Sequence, residues 1–203
     1  MIIHDISQEL FSCQVFPGDP APERKILSST EKGDVCNLTA FSMCAHNGTH
    51  VDAPYHFVRD GITIDQIPLS TWIGNAYVAA FEGVIGAADI RQILEAMKQL
   101  GREAGIYPIR KLLIKGKATL SYEAAEVLTE TDLELFGNES QTVGPEDAPA
   151  AVHQLLLGEG MVFLEGIRLD DVPEGIYILN AAPINLGGCD GAPCRAVLME
   201  MED

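Results

Sequence analysis

Residues 45–57 read AHNGTHVDAPYHF, and this stretch constrains the chain more than any other. It holds three of the five histidines, and His46, His50, Asp52 and His56 follow one another at spacings of four, two and four. All four side chains share one parity, so an extended segment would turn them to one side. A helix would also align His46 with His50, but Gly48, Val51 and above all Pro54 disfavour it. Extended or looped backbone is therefore expected, with Gly48 on the same side leaving room for an ion between two imidazoles. A lone histidine is usually just a hydrogen-bonded residue. Two imidazoles and a carboxylate this close form the ligand set of a catalytic divalent metal, with Zn²⁺ favoured by the His₂Asp character and Mn²⁺ also tolerated.

Composition limits what such an ion could serve. The chain has 203 residues, 47% apolar and 21% charged, which predicts one globular domain spanning residues 1–203 with a single core. Its net charge is −17, with only 13 lysines and arginines, so neither a nucleic acid nor an anionic membrane surface is an expected partner. A small molecule or another subunit remains. No apolar run approaches the roughly 18 residues of a membrane span, and the first ten residues do not read as a leader, so a cytoplasmic location is expected. Five cysteines without CxxC spacing fit reduced thiols.

Short apolar runs bounded by Gly, Pro or Asn predict strands in LTAFSMCA, NAYVAAF, KLLIKG, MVFLEG, GIYILNAAPI and RAVLMEM. Between them, Ile90, Ile93, Leu94, Met97 and Leu100 recur at helical spacing, with Gly101 as the expected stop. Ser121 is expected to cap YEAAEVL, and Asp147 to cap APAAVHQLLL, ending at Gly158. This pattern predicts an α/β fold, with a mixed β-sheet or barrel-like sheet core and flanking helices. No GxGxxG, GxxxxGK[ST] or GxSxG occurs, so neither nucleotide binding nor a serine nucleophile has sequence support.

HNGTHVDAPYH resembles the HxGTHxDxPxH motif of the cyclase-like metal-dependent hydrolases, a family that includes bacterial kynurenine formamidases and isatin hydrolases. The likeness continues through DIS, PGDP, LSYEAAEVL, LEGIRLDDVPEGIYIL and DGAPCRAVL. It implies the family's swivelling β/β/α fold and one or two divalent ions. His46, His50 and Asp52 would be ligands of one ion, with Asp52 bridging to a second held by His153 and Glu165. Read locally, His153 is a half-exposed helix residue and Glu165 a strand-end carboxylate; only the resemblance makes them ligands. It makes His56 the catalytic acid/base and Phe16 a substrate-contacting pocket wall, where formamidases of the family carry tryptophan. Asp190 would belong to a structural turn near the site. His4 lies outside the motif and reads as a solvent-facing or capping residue.

The implied activity is metal-dependent hydrolysis of a small amide: N-formyl-L-kynurenine to L-kynurenine and formate, or a cyclic amide of the isatin type. A non-catalytic metal-dependent binding protein is the contrasting class, against which His56 speaks, because binding alone needs no acid/base beside the ligands. LLIKGKATLSYEAA is shorter than the corresponding formamidase region, and GNESQTVGPED lacks the usual serine and second aspartate; these departures bear on the pocket, not on the ligands. Family usage implies a homodimer or homotetramer. Ile2, Ile3, Ile6, Leu10 and Phe11 are expected to bury against a neighbour, unless they form an edge strand of their own subunit.

Overall fold

The apolar runs become strands because each alternate side chain finds a covered face. The computed structural model describes residues 1–200; Met201, the last residue of the RAVLMEM run, lies outside them. The first half of the chain forms β1 (Ile2–Asp5), β2 (Glu23–Ser28), β3 (Leu38–Ser42), β4 (His50–Asp52), α1 (Leu69–Trp72), β5 (Ile73–Ala80), β6 (Gly83–Ile85) and α2 (Ala87–Glu103). The second half forms β7 (Lys111–Lys115), β8 (Ala118–Leu120), α3 (Tyr122–Thr129), β9 (Leu135–Asn138), α4 (Ala150–Gly158), β10 (Val162–Glu165), β11 (Gly175–Asn180), β12 (Gly191–Pro193) and β13 (Val197–Glu200).

Among the described residues, nine strands make one mixed sheet in the order β1-β13-β11-β5-β7-β9-β10-β4-β12. Strands β5, β7, β9 and β10 run parallel, while the flanking pairs are antiparallel. Both faces of the parallel centre are covered, which is why its strands read as nearly continuous apolar runs. Leu112, Ile114, Phe136 and Phe163 pack towards α2, α3 and α4 with Ile90, Leu94, Leu128 and Leu156. Their neighbours of opposite parity, Leu113, Leu135 and Leu164, join Val51, Trp72, Leu179 and Leu198 on the other face. The expected mixed sheet with flanking helices is the architecture that forms.

Several local readings need correction. Helix α2 runs through Gly101, which is buried. A Cβ there would lie 2.7 Å from the Ile106 carbonyl oxygen, so this glycine admits the returning chain and does not stop the helix. The helix is closed by Gly105 at φ +69° and by the Ile106 N–H donating to the Gly101 carbonyl. Ser121 does cap α3, accepting from the Ala124 N–H at 3.2 Å. The N-cap of α4 is Pro149, not Asp147, and Gly158 is its last helical residue, with the left-handed turn at Gly160. Ile6 is fully buried in its own subunit's core, so it is not available to a neighbour; β1 pairs with β13 as an edge strand.

The two helix glycines should respond oppositely to alanine. Gly158→Ala meets no atom within 4 Å and should stabilise the fold by about 0.5–1 kcal/mol through lost unfolded-state freedom. Gly101→Ala should destabilise it by about 1–3 kcal/mol because its Cβ displaces backbone. Urea denaturation of both variants checks the signs, and equal shifts would contradict this packing.

Candidate metal centre

Strand β4 lies between β10 and β12, and its register builds the centre. His50 stands directly opposite Glu165, and Asp52 opposite Phe163. Val51 points into the far core, so His50, Asp52 and Glu165 share the face that looks towards α4. From α4, His153 packs edge-on against Phe163, with ring centroids 5.1 Å apart. All four polar residues are buried.

The parity expected for the histidine stretch holds only for His50 and Asp52, because the strand spans only these residues. His46 sits in the preceding turn and His56 in a 3₁₀ turn that Pro54 begins. The rings nevertheless meet: His46 stacks on His56 at 4.0 Å and lies edge-on to His50 at 5.1 Å. Space for His46 comes from Gly191, where a Cβ would lie 2.6 Å from the imidazole Cε1. Gly48 plays a different part from the one expected. Its φ is +65°, and a Cβ there would crowd Cys13, so it turns the chain and leaves no ion gap.

Hydrogen bonds fix the ring tautomers. His50 Nδ1 donates to the Gly48 carbonyl at 3.0 Å, and His153 Nδ1 to the Pro149 carbonyl at 2.9 Å. Each ring thereby turns Nε2 towards carboxylates, and a hydrogen bond of this kind on the far nitrogen is what orients metal-ligating histidines. His50 Nε2 is 3.4 Å from Asp52 Oδ1 and 3.4 Å from Glu165 Oε2; His153 Nε2 is 3.3 Å from Glu165 Oε1 and 3.8 Å from Asp52 Oδ2. The buried atoms His50 Nε2 and Asp52 Oδ2 have no hydrogen-bond partner. Lone pairs and carboxylate oxygens facing one another in a buried site require positive charge among them, as imidazolium protons or as a cation. Among the described residues two such groups occur, His50 with Asp52 and Glu165, and His46 with Asp52 and His56, each with its ligand atoms within 4.8 Å of one another. Asp52 belongs to both. The donor set and its orphaned buried atoms fit one or two divalent ions.

The electrostatics express the same demand. Burial opposes charge on His46, but Asp190 and Asp52, each 2.8 Å from a ring nitrogen, raise its pKa to about 11. At His50 and His153, burial pulls the pKa down, and Glu165 and Asp52 more than reverse it. Burial raises Asp52, yet the surrounding imidazoles hold it well below the carboxylate range. Burial and Asp52 both work to raise Glu165, and His153 and His50 outweigh them.

The structure brings His46, His50, Asp52, His56, His153 and Glu165 together, and Phe16 lines the same cavity, of about 390 Å³. Asp190 is nearer the chemistry than a structural turn suggests. Its Oδ2 is 2.8 Å from His46 Nε2 and 3.2 Å from His56 Nδ1, and these two bonds hold its pKa below the usual range. Its place beside the centre depends on β12 pairing with β4, which no local signal in CDGAPCRAV announces. His4 stays apart, edge-on to Tyr177 and 3.6 Å from Glu200. All five cysteines are free.

Comparison with known proteins places this arrangement. The Cyclase family model matches residues 4–145. A kynurenine formamidase of Erythrobacter litoralis is 32% identical over 206 residues, covering 99% of this chain and 95% of its own, and one from Bacillus cytotoxicus is 30% identical over 199, covering 96% and 95%. A solved structure described as a potential metal-dependent hydrolase with cyclase activity superposes with a TM-score of 0.81 at 26% identity, over 100% of this chain and 99% of the other. Isatin hydrolase A from Labrenzia aggregata, at 23% identity over 99% and 94%, shares the fold with a TM-score of 0.79. With its histidine stretch inside the matched region and formamidases alongside it almost end to end, the chain belongs to the cyclase family.

Proposed function

We propose that this protein is a metal-dependent hydrolase of a non-peptide C–N bond, acting on N-formyl-L-kynurenine to give L-kynurenine and formate. The observation that carries this reading is the buried convergence of His50, Asp52, His153 and Glu165, in which His50 Nε2 and Asp52 Oδ2 are left without a hydrogen-bond partner. The full-length likeness to kynurenine formamidases supports the arylformamide as substrate. A cyclic amide of the isatin type is the second reading, favoured by the shared fold. The cytoplasm is the proposed location; among the described residues, no helix is long and apolar enough to cross a membrane.

His46, His50 and Asp52 would hold one ion, and Asp52, His153 and Glu165 a second, with Zn²⁺ preferred over Mn²⁺. Such an ion supplies Lewis acidity and a hydroxide nucleophile near neutral pH. The chain supplies position and protons. His56 is partly exposed at the cavity and hydrogen-bonds to Asp190, which suits it to carry a proton to the departing aryl amine. Asp190 orients the His56 and His46 rings together. Phe16 and Phe57 give the cavity apolar surface against which an aromatic ring can lie.

Loaded with Zn²⁺ or Mn²⁺, the protein should contain about one to two ions per chain, and stripping them should lower its melting temperature, because an ion held only by the folded state adds to stability. His50→Ala should lose both the metal and the stabilisation. Elemental analysis that finds no metal in the loaded wild type would refute the centre.

His56→Ala should keep near-normal metal content and lose about 10²–10⁴-fold in turnover. A ring nitrogen of His56 also lies within 4.8 Å of the potential ligand atoms of His46 and Asp52. Metal content and rate measured on the same samples therefore decide its role: parallel loss of both makes it a ligand.

A homodimer or homotetramer is proposed as the working form. The hairpin of β2 and β3 is outside the main sheet and exposes Ile26 at 63%, Phe41 at 56% and Leu38 at 52%. A two-stranded hairpin is marginal alone in water, and a neighbouring subunit would cover this one. Light scattering at micromolar concentration should give a multiple of the 21.9 kDa chain; the single-chain mass would overturn the assembly.

A further inference from the structure

Strand β9 ends on an asparagine in a place built for apolar groups. Asn138 is fully buried, as are Leu135 and Phe136 of the same strand. A primary amide there is costly unless its polar atoms are bonded. Its Nδ2 uses both protons, donating to the Ala118 carbonyl at 2.9 Å and to the Thr142 carbonyl at 3.0 Å. Both neighbours are acceptors, which assigns the amide orientation. The residue thus ties the segment that follows β9 back to β8.

That segment wraps the end of β10. The Asn138 carbonyl accepts from the Ile167 N–H at 3.2 Å, and the Ser140 carbonyl from the Gly166 N–H at 2.8 Å. Val143, fully buried, then donates its N–H to Glu165 Oε1 at 2.8 Å, while its own carbonyl accepts from the Leu120 N–H at 2.7 Å. Gln141 Nε2 reaches the Gly48 carbonyl, to which His50 Nδ1 also donates. One short segment therefore touches the supports of two residues of the centre.

A single peptide group carries the link to Glu165. The Thr142 carbonyl and the Val143 N–H belong to the same planar trans unit, so they point in opposite directions. Asn138 holds the oxygen end, and Glu165 takes the hydrogen end. A half-turn of this group would bring a carbonyl oxygen to the buried carboxylate in place of an N–H. Glu165 already shares its buried space with Asp52, so a further oxygen there would be strongly disfavoured. An N–H donated to an ionised carboxylate is, by contrast, among the stronger hydrogen bonds, and it is reinforced when the carbonyl of the same peptide accepts one.

We propose that Asn138 is a positioning residue for Glu165: by holding the peptide between Thr142 and Val143 in this orientation, it fixes the carboxylate that would serve a divalent ion. The inference rests on the metal-centre reading and adds to it a residue that acts only through the backbone.

The test uses the full chain as wild type, Asn138→Leu, which keeps the volume and removes both donors, and Gly101→Ala, which disturbs the end of α2 and no group of the centre. Zn²⁺ affinity is measured by competition with a chromophoric chelator, and the Val143 amide proton is followed by NMR in the metal-free protein. Asn138→Leu should weaken Zn²⁺ binding about 10–100-fold, as loss of the support behind a ligand does. Its Val143 amide should lose exchange protection and move upfield. Gly101→Ala should leave both readouts at the wild-type value despite its lower stability. Wild-type affinity and an unchanged Val143 signal in Asn138→Leu overturn the proposal, and so does an equal loss of affinity in Gly101→Ala, which would mark general loosening. If Asn138→Leu does not fold, the wild-type side-chain amide protons of Asn138 decide: slow exchange of both supports the proposal, and exchange as fast as that of an exposed asparagine overturns it. If the wild type takes up no Zn²⁺, the metal-centre reading falls, and the metal-free Val143 signal alone decides whether Asn138 positions Glu165.

Discussion

Everything at the centre depends on the antiparallel register of β4 against β10, which sets His50 opposite Glu165 with Asp52 two residues away on the same face. A slip of one residue would send both β4 side chains into the apolar far side and bring Val51 to the metal face. That register carries a cost, because it buries two carboxylates within a few ångströms of each other. The imidazoles of His46, His50 and His153 offset the repulsion; the outer nitrogens of His50 and His153 are held by backbone carbonyls and that of His46 by the Asp190 carboxylate, so the inner ones cannot turn away. The centre is thus organised for positive charge before any arrives.

The same logic extends outward. Thr49, between His46 and His50 in the histidine stretch, donates to the Gly166 carbonyl and accepts from the Gln8 N–H. Gln8 also donates to the Gly166 carbonyl at 2.7 Å. A Cβ on Gly166 would fall within 2.3 Å of the Gly48 oxygen, so only glycine fits beside Glu165. The amino-terminal segment, the histidine turn and the end of β10 are therefore one hydrogen-bonded body, and Phe16 is carried into the cavity by it.

The sequence was most legible where one local pattern decided the outcome. The runs KLLIKG and MVFLEG are central parallel strands because their residues are apolar on both parities, and Ser121 caps α3 by the chemistry of its own hydroxyl. The pattern was silent where tertiary approach decided. Strands β9 and β12 are short and contain glycine or proline, and only their neighbours make them strands. Gly101 reads as a helix stop until the returning chain is seen against it. In the site, residues 46–56 were conspicuous because they are close in sequence. His153 and Glu165 are ordinary in isolation and only family likeness points to them, while nothing local in the sequence makes Asp190 a partner of two histidines.

The distribution of these groups along the chain has a kinetic consequence. One set comes from residues 46–56, another from residues 153–165, and Asp190 from the last strand region, with β4 inserted between two strands formed more than a hundred residues later. Contacts of such separation form late, after the loops between them have closed. An ion at this centre would therefore meet its full set of groups only once β4 has docked between β10 and β12. During synthesis the histidine stretch waits, exposed and without its carboxylate partner on β10, until most of the protein has been made.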